Sequence, residues 1–304
     1  MAKIDLNPFI IKHKLPNNFT AQAEKWFIPV AKQLISHQRK AKSPIVIGIN
    51  GAQGSGKSTL ADLLVYLFQQ HQLNAVSLSL DDFYLTFKDR VKLAEQVHPL
   101  FKTRGVPGTH DVDLAYDTLQ QLIHHDGTTI IPRFNKAADN RLPASQWDSV
   151  TEPVDIIVIE GWCLGSEPQQ QSALQQPIND LEQHDDVDGI WRHYANQQLH
   201  YYKPLFSLID KWIMLKAPSF DCVFNWRLEQ EQKLKMTVSD EMNTMSNDEV
   251  AHFIKHYQRI TEHTLTTLAN KVNYMFELNE QRDISQLVYK EHNAYMQTNA
   301  TRSD

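Results

Sequence analysis

Residues 51–58 carry the pattern that most constrains the fold of this 304-residue chain. Gly51 is followed after four residues by Gly56, Lys57 and Ser58, the spacing of a phosphate-binding loop. Glycines let successive backbone N–H groups converge on phosphate oxygens, and the helix that follows adds its positive N-terminal end. Lys57 supplies charge for the β- and γ-phosphates, and the Ser58 hydroxyl is a ligand for Mg²⁺. The predicted nucleotide-binding residues are Gly51, Ala52, Gln53, Gly54, Ser55, Gly56, Lys57, Ser58 and Thr59.

The segments on both sides of this loop predict the structural context that the motif requires. Residues 45–49 form a continuous apolar run, which is typical of a strand buried on both faces. After the loop, five apolar side chains recur at helical spacing: Leu60, Leu63, Leu64, Leu67 and Phe68. A strand, a glycine-rich loop and an amphipathic helix in this order favour a true phosphate-binding loop over a chance match.

Alternating strands and helices continue along the chain. Further strands are predicted at residues 75–80, 155–159, 211–215 and 273–278, and an N-terminal helix at residues 19–40. This alternation predicts an α/β fold of the P-loop NTPase type, with three α/β/α layers and a mostly parallel central sheet. The chain has no internal repeat and no long Gly/Ser/Pro linker, so residues 1–304 are predicted to form one domain with a core at 44–290.

Composition excludes several other classes of protein. The chain is 41% hydrophobic and 22% charged, as in an ordinary globular protein, and its net charge of −6 disfavours a nucleic-acid partner. No apolar run approaches the length of a membrane span, and the first 30 residues lack a signal-peptide pattern. Cys163 and Cys222 are too few for a disulfide scaffold or a zinc cluster. We therefore expect a cytoplasmic protein with a small-molecule partner and no membrane partner; the oligomeric state is not predicted.

Acidic residues follow two of the predicted strands. Asp81 and Asp82 come directly after the strand at 75–80, and Glu160 ends the strand at 155–159. Ligands bind at the carboxyl ends of strands in open α/β sheets, so these carboxylates are expected beside the phosphate loop. One aspartate, for which we favour Asp81, is predicted to accept the proton of an attacking hydroxyl, and Asp82 to cap the turn or contact Mg²⁺ through water. Glu160, with Ser58, is predicted to orient Mg²⁺.

A second group of acids is predicted to have no site function. Five of them fall within residues 180–188, at spacings that fit no calcium-binding loop: Asp180, Glu182, Asp185, Asp186 and Asp188. This pattern predicts a solvated surface segment.

With these residues in place, the chain resembles P-loop kinases of the phosphoribulokinase, uridine kinase and pantothenate kinase group. Within that group it is most similar to the D-glycerate 3-kinase family. The similarity extends over roughly residues 20–285, and the stretches that carry it are residues 80–84, 104–111, 132–136, 160–165, 226–231 and 245–250. The phosphate loop is generic to P-loop proteins, whereas the stretches at 104–111 and 160–165 are specific.

The resemblance implies an enzyme that uses ATP and Mg²⁺ to phosphorylate a hydroxyl of a small metabolite, with D-glycerate converted to 3-phosphoglycerate. It implies that Asp81 is the base, with Lys57, Glu160 and Arg227 as the other catalytic residues. A helical lid is implied at about residues 219–245, in which Arg227 would cover the phosphates, with Lys233 and Lys235 as weaker candidates. The alternative for Arg227 is a surface ion pair with Glu231, four residues further on.

An acceptor with a carboxylate calls for arginine, because a guanidinium matches a planar carboxylate in two hydrogen bonds. Three arginines fall in predicted loops after strands: Arg104, Arg133 and Arg141. The predicted substrate residues are Asp81, Tyr84, Arg104, His110 and Arg133.

The sequence departs from the family at two places. Glu167 stands where the family usually has a lysine near the presumed mouth of the site, and the lid stretch 237–244 lacks the usual glycine. Two alternative functions stay open at this point. One is a P-loop kinase for another hydroxylated metabolite, such as a nucleoside or a pantothenate-like compound; the other is a non-catalytic ATP-binding regulator, which would need Lys57 but no general base.

Overall fold

The computed structural model describes residues 4–237 and 245–291, with the backbone alone for residues 233–237. Its strands, in chain order, are β1 Ile45–Gly51, β2 Ala75–Ser79, β3 Thr129–Ile131, β4 Phe134–Asn135, β5 Asn140–Arg141, β6 Asp148–Val150, β7 Ile156–Gly161, β8 Lys211–Lys216, β9 Tyr274–Leu278 and β10 Ile284–Tyr289. Its α-helices are α1 Asn7–His13, α2 Phe19–Gln22, α3 Ile28–Gln38, α4 Lys57–Gln70, α5 Phe87–Gln96, α6 Val112–His124, α7 Asp180–His184, α8 Ile190–Gln198, α9 Lys203–Ser207, α10 Phe220–Thr237 and α11 Asn247–Thr267.

The central sheet has six strands in the order β10-β9-β8-β1-β7-β2. Five of them pair in parallel, and β10 adds an antiparallel edge to β9. β1 and β7 are buried along their whole length, as their continuous apolar sequences require in a sheet covered on both faces. The predicted α/β fold with a mostly parallel sheet is confirmed.

The register of the three strands β1, β7 and β2 determines where the site forms. Glu160 in β7 is paired with Ile49 of β1 on one side and with Ser79 of β2 on the other. The chain therefore delivers the phosphate loop after β1, the Glu160 side chain and the acids after β2 to one edge of the sheet.

The N-terminal helix predicted at residues 19–40 is present but interrupted. A π-helical turn at Ala23–Phe27 joins α2 to α3, and the helical segment ends at Gln38. Pro29 lies just after this turn and has no N–H to donate to the preceding turn, so the wider turn occurs where the regular hydrogen-bond ladder is already broken.

Five strands were not predicted from the sequence: β10 and the members of two small antiparallel pairs, β3 with β6 and β4 with β5. The strands of these two small pairs are two or three residues long, too short to show a period of two. The hairpin of β4 and β5 matters for function because it lies against the acids after β2.

The prediction of a solvated acidic segment at 180–188 is wrong for two of its five acids. Glu182 and Asp186 are each 1% exposed. Glu182 forms an ion pair with Arg259 of α11 at 2.5 Å, and Asp186 forms one with Arg192 of α8 at 2.9 Å. These acids join α7, α8 and α11 because a buried carboxylate needs a cationic or hydrogen-bonding partner.

Among the described residues, no helix combines the length and apolarity needed to cross a membrane.

Candidate active site

The phosphate loop runs from the end of β1 at Gly51 to the first turn of α4, which begins at Lys57. Backbone N–H groups at the start of a helix have no partner within it and so present an anion-binding site. Gly54 has φ +77°, and a Cβ placed on it would lie 2.7 Å from the Cβ of Trp226. The loop is therefore packed against α10, which requires a glycine at this position.

Ser58 and Glu160 form the corner of the site suited to a divalent cation. The Ser58 Oγ donates a hydrogen bond to Glu160 Oε1 at 2.8 Å, and Lys57 Nζ lies 3.9 Å from Glu160 Oε2. Glu160 is 5% exposed, and its Oε2 atom is buried with no hydrogen-bond partner among the described residues. Burial raises the pKa of Glu160, the negative charge of Asp81 raises it further, and Lys57 opposes both effects. A hydroxyl beside a carboxylate oxygen that accepts no hydrogen bond is a set of ligands that fits Mg²⁺ and its water molecules.

Asp81 and Asp82 are adjacent in sequence but have different partners. Asp81 accepts a hydrogen bond from Lys136 Nζ at 2.6 Å and one from the Tyr84 hydroxyl at 2.8 Å. Burial alone would raise the pKa of Asp81, but Lys136 and Lys57 together hold it well below its ordinary value.

The carboxylate of Asp82 is instead part of the scaffold. It accepts a hydrogen bond from Arg133 Nη1 at 2.6 Å and one from the backbone N–H of Phe134 at 3.1 Å. Burial raises the pKa of Asp82 and Arg133 opposes that rise. Asp82 thus ties the turn after β2 to the start of β4, and Asp81 is the acid of the pair that lies beside Lys57.

Tyr84 and His110 are brought together by backbone pairing. Residues 83–85 and 109–111 form a short antiparallel ladder, and the two rings stack with centroids 4.6 Å apart. His110 Nδ1 lies 2.7 Å from the Tyr202 hydroxyl, and the Gly108 N–H donates to the oxygen of that hydroxyl at 3.3 Å. His110 Nε2 is buried with no hydrogen-bond partner among the described residues, so the Tyr202 hydroxyl is the hydrogen-bond partner of the ring. Burial lowers the pKa of His110 to about 4, so the ring is neutral at pH 7.

The arginines predicted for the acceptor differ in how fully they are engaged. Arg133 forms ion pairs with Asp82 at 2.6 Å and with Asp148 at 2.7 Å. Arg141 donates to the Tyr84 carbonyl at 3.0 Å and to Asp111 at 3.2 Å.

Arg104 is linked to Asp81 through Lys136. It pairs with Asp139 of the hairpin and rests over the Phe134 ring, 5.6 Å from its centroid. Its charge acts on Lys136, whose ammonium is the group bound to Asp81. Of the three predicted arginines, Arg104 therefore has a charge that acts on the ammonium bound to Asp81.

Two aromatic donors hold the backbone at Arg104 and Gly105. The Trp162 indole N–H donates to the Gly105 carbonyl at 3.1 Å, and the Tyr257 hydroxyl donates to the Arg104 carbonyl at 3.0 Å. Gly105 has φ +131°, and a Cβ there would overlap the Tyr257 ring. Trp162 and Tyr257 contact each other edge to face, with centroids 4.9 Å apart, so they fix the loop that carries Arg104.

Arg227 is on α10, the helix of the predicted lid. It forms an ion pair with Glu231 at 2.7 Å and lies 5.8 Å from the centre of the Phe253 ring of α11. The pair with Glu231, which the sequence offered as the alternative for Arg227, is thus present; a role over the phosphates stays a prediction. The side chains of Lys233 and Lys235, and residues 238–244 of the predicted lid, lie outside the described residues.

The departure at Glu167 has a structural explanation. Glu167 forms an ion pair with Lys271 at 2.6 Å, and Gly165, two residues earlier, packs against Trp212 and Leu268. The acidic side chain is therefore balanced by a lysine after α11.

Two residues that lie at the site were not selected from the sequence. Lys136 is within the stretch 132–136 that carries the family resemblance, and Tyr257 is within the apolar stripe of α11. The resemblance of that stretch is the one local signal for Lys136, and Tyr257 has no such signal. Both reach the site through contacts with residues far away in the sequence: Asp81 for Lys136 and Arg104 for Tyr257.

Comparisons with known proteins agree with this geometry. A family model described as the phosphoribulokinase/uridine kinase family matches residues 46–166. The chain is 34% identical over 254 residues to the uncharacterized kinase mug58 of Schizosaccharomyces pombe, an alignment that covers 80% of this chain and 89% of that protein.

Two further similarities concern proteins named as D-glycerate 3-kinases. The chloroplastic enzyme of Arabidopsis thaliana is 31% identical over 267 residues; the match covers 82% of this chain and 56% of the plant protein, so the chain spans little more than half its length. The solved structure of the Cryptococcus neoformans enzyme superposes with a TM-score of 0.70 at 26% identity, covering 86% of this chain and 98% of that one.

Proposed function

Because the chain belongs to the phosphoribulokinase/uridine kinase family of P-loop kinases, we propose that it phosphorylates D-glycerate at its 3-hydroxyl with ATP and Mg²⁺. The observation that carries the proposal is the position of Asp81 beside the phosphate loop, with Lys136 bound to it and Arg104 close by. Two cations next to a general base suit an acceptor that has a carboxylate close to the reacting hydroxyl. The similarity to proteins named D-glycerate 3-kinase supports the same acceptor.

The phosphate loop and Glu160 form the nucleotide half of the site. The backbone N–H groups before α4 and the Lys57 ammonium would bind the phosphate oxygens, and Ser58 and Glu160 would hold Mg²⁺. The ion would supply positive charge against the charge that develops during phosphoryl transfer. Lys57 contributes in the same sense, because it is fixed in position before the reaction begins.

Asp81 acts on the acceptor half. As the acceptor hydroxyl forms its bond to the γ-phosphorus, its proton passes to an Asp81 carboxylate oxygen. The bond between the γ-phosphorus and the bridging oxygen breaks, and that oxygen keeps the electron pair as ADP leaves. Asp81 suits this role because it is ionised at neutral pH, whereas the burial of Glu160 disfavours its charged form.

We further propose a cytoplasmic location. Cys163 and Cys222 are both free and buried, which is consistent with a reducing compartment.

The proposal is tested by incubating the purified chain with MgATP and one acceptor at a time, with ³¹P NMR identifying the product. D-glycerate should give 3-phosphoglycerate and ADP, while glycerol, which lacks the carboxylate, should be a far poorer acceptor. When an acceptor lacks the carboxylate, the cations of the site lose contact with water and gain no partner. A site of this kind can discriminate against such an acceptor by about 10⁴ or more.

Uridine, cytidine and pantothenate complete the panel. Turnover of one of these without turnover of D-glycerate would keep the kinase and refute the acceptor. If the protein bound ATP and turned over none of the panel, the non-catalytic regulator would replace the enzyme.

A further inference from the structure

Lys136 is bound to Asp81, the base of the proposed reaction. It lies in the turn of the β4–β5 hairpin, and its Nζ is 2.6 Å from Asp81 Oδ2. The other carboxylate oxygen, Oδ1, accepts the Tyr84 hydroxyl at 2.8 Å. An acceptor hydroxyl that approaches Asp81 must therefore compete with an ammonium, and a carboxylate held by an ammonium is a weak base.

The side chain of Lys136 is free to leave this position. It is 61% exposed, whereas the Asp81 side chain is 16% exposed. Among the described residues, Asp81 is the hydrogen-bond and ion-pair partner of its Nζ, so only one contact needs to be exchanged. A lysine ammonium is a compact charge on a flexible stem, which lets it move between two anions a short distance apart.

Arg104 supplies a second cation for an arriving anion. Asp81 raises the pKa of Lys136, and the positive charge of Arg104 opposes that rise, so the two cations repel each other. Arg104 is 25% exposed and pairs with Asp139, which is on the same hairpin as Lys136. An acceptor carboxylate between Arg104 and Lys136 would relieve this repulsion.

We propose, on the basis of the proposed acceptor, that Lys136 acts as a specificity switch. The acceptor carboxylate draws the Lys136 ammonium away from Asp81 into a site shared with Arg104. Asp81 is then free to accept the hydroxyl proton. The same anion is thereby recognised and required for catalysis. A neutral acceptor leaves Lys136 on Asp81, and its turnover is slow even at saturation. Discrimination against neutral acceptors then resides in kcat as well as in KM.

The test compares Lys136→Met with wild type, using D-glycerate and glycerol as acceptors and MgATP as donor. For D-glycerate, we expect kcat/KM to fall by about 10²-fold, mostly through KM, because a charge-assisted contact to the carboxylate is lost. For glycerol, we expect kcat to rise by about tenfold or more, because the base is no longer held by the ammonium. Lys88→Met, which changes an exposed lysine of α5, is the matched control and should leave both acceptors unchanged.

The opposite signs separate this role from a structural one. If Lys136 only stabilised the hairpin, both acceptors would lose activity together, and that result, or no change for either acceptor, would overturn the switch. Thermal unfolding of each variant checks that the protein is folded. A second measurement uses binding alone, with a non-hydrolysable ATP analogue present. Asp81→Asn should lower the Kd for D-glycerate severalfold, because a neutral side chain at position 81 no longer competes with the acceptor carboxylate for Lys136. An unchanged or higher Kd would contradict the exchange.

The outcome for the proposed function is read separately. If the wild-type protein fails to phosphorylate D-glycerate, the proposed acceptor is refuted. If the wild-type protein phosphorylates D-glycerate and Lys136→Met lowers activity with both acceptors, only the switch is refuted.

Discussion

Ser79 of β2 and Glu160 of β7 are paired across two neighbouring parallel strands. This register places Asp81, two residues after Ser79, beside the carboxylate that would orient Mg²⁺, and the negative charge of Asp81 raises the pKa of Glu160. The predicted base, which follows β2, and the predicted metal ligand, which is in β7, thus lie at one edge of the sheet. Phosphoryl transfer requires this proximity, since the acceptor oxygen and the metal-bound phosphate must meet there.

Glu160→Gln should raise the Mg²⁺ concentration needed for half-maximal activity by about tenfold or more, because loss of a metal-positioning carboxylate weakens metal affinity. Titration of MgCl₂ at fixed ATP measures the effect. Glu167→Gln is the control, because Glu167 is paired with Lys271, and its Mg²⁺ requirement should equal that of wild type. Equal requirements in all three proteins would remove Glu160 from the metal site.

Asp81→Asn and Asp82→Asn should distinguish the base from its neighbour. Loss of the base at Asp81 should lower kcat by about 10²–10⁴. Asp82→Asn weakens the contacts to Arg133 and Phe134 and should have a smaller effect on kcat, because these contacts tie the turn to β4. Steady-state kinetics measure both effects, and chemical denaturation checks that each variant is folded. A larger loss of kcat at Asp82 would reverse the assignment of the base.

Gly54→Ala and Gly127→Ala both place a side chain at positive φ, but only Gly54 faces Trp226. Gly54 has φ +77°, and its added Cβ would lie 2.7 Å from Trp226; Gly127 has φ +90° with nothing within 4 Å. Each variant should lose about 1 kcal/mol of stability from backbone strain. Only Gly54→Ala should also raise the KM for ATP, because the phosphate loop must move away from α10. Equal KM values in the two variants would show that this packing is unimportant for nucleotide binding.

Tyr202→Phe should change the balance between the two tautomers of His110. The Tyr202 hydroxyl lies 2.7 Å from His110 Nδ1, and its loss removes the hydrogen bond that favours one tautomer of the ring. In protein labelled with ¹⁵N-histidine, wild type should show one tautomer for His110, and Tyr202→Phe should show a mixture or the opposite tautomer. His110→Gln assigns the signal. An unchanged spectrum in Tyr202→Phe would mean that Tyr202 does not determine the tautomer.

His256→Gln should reduce the loss of stability in acid. Burial lowers the pKa of His256 in the folded protein to about 4, against an unfolded value of 6.5. Above pH 6.5, His256 is neutral in both states and the free energy of unfolding keeps its full value. As pH falls from 6.5 towards 4, the free energy of unfolding decreases, because the unfolded chain binds a proton that the folded chain excludes. The lost free energy approaches about 3 kcal/mol.

The raised pKa values of Glu160 and Asp82 act in the opposite sense, so the difference between wild type and variant is the quantity to measure. Urea denaturation between pH 7 and pH 4 supplies it, with the exposed His200 changed to Gln as control. A difference that does not vary with pH would exclude His256 as the cause.

Much of the fold follows from local sequence. The apolar run before the phosphate loop, the helical stripe after it and the acids that end β2 and β7 all depend on patterns a few residues long. Such patterns are sufficient because the period of apolar side chains identifies a strand or a helix, and the parallel order of strands sends their carboxyl ends to one edge. The phosphate loop, Asp81 and Glu160 were therefore identified, with their mutual proximity expected.

The partners of the charged side chains were decided by tertiary structure. No local pattern indicates that Arg133 binds Asp82, that Lys136 binds Asp81 from 55 residues away, or that Glu167 meets Lys271. Several cations compete for each carboxylate, and the choice depends on distances and burial that exist only once the hairpin and α11 are packed. For the same reason the acids Glu182 and Asp186 look like a solvated run in sequence and are buried ion pairs in the fold. The sequence alone therefore determined where the phosphate loop and Glu160 lie, and only the packed chain decided which cations surround Asp81.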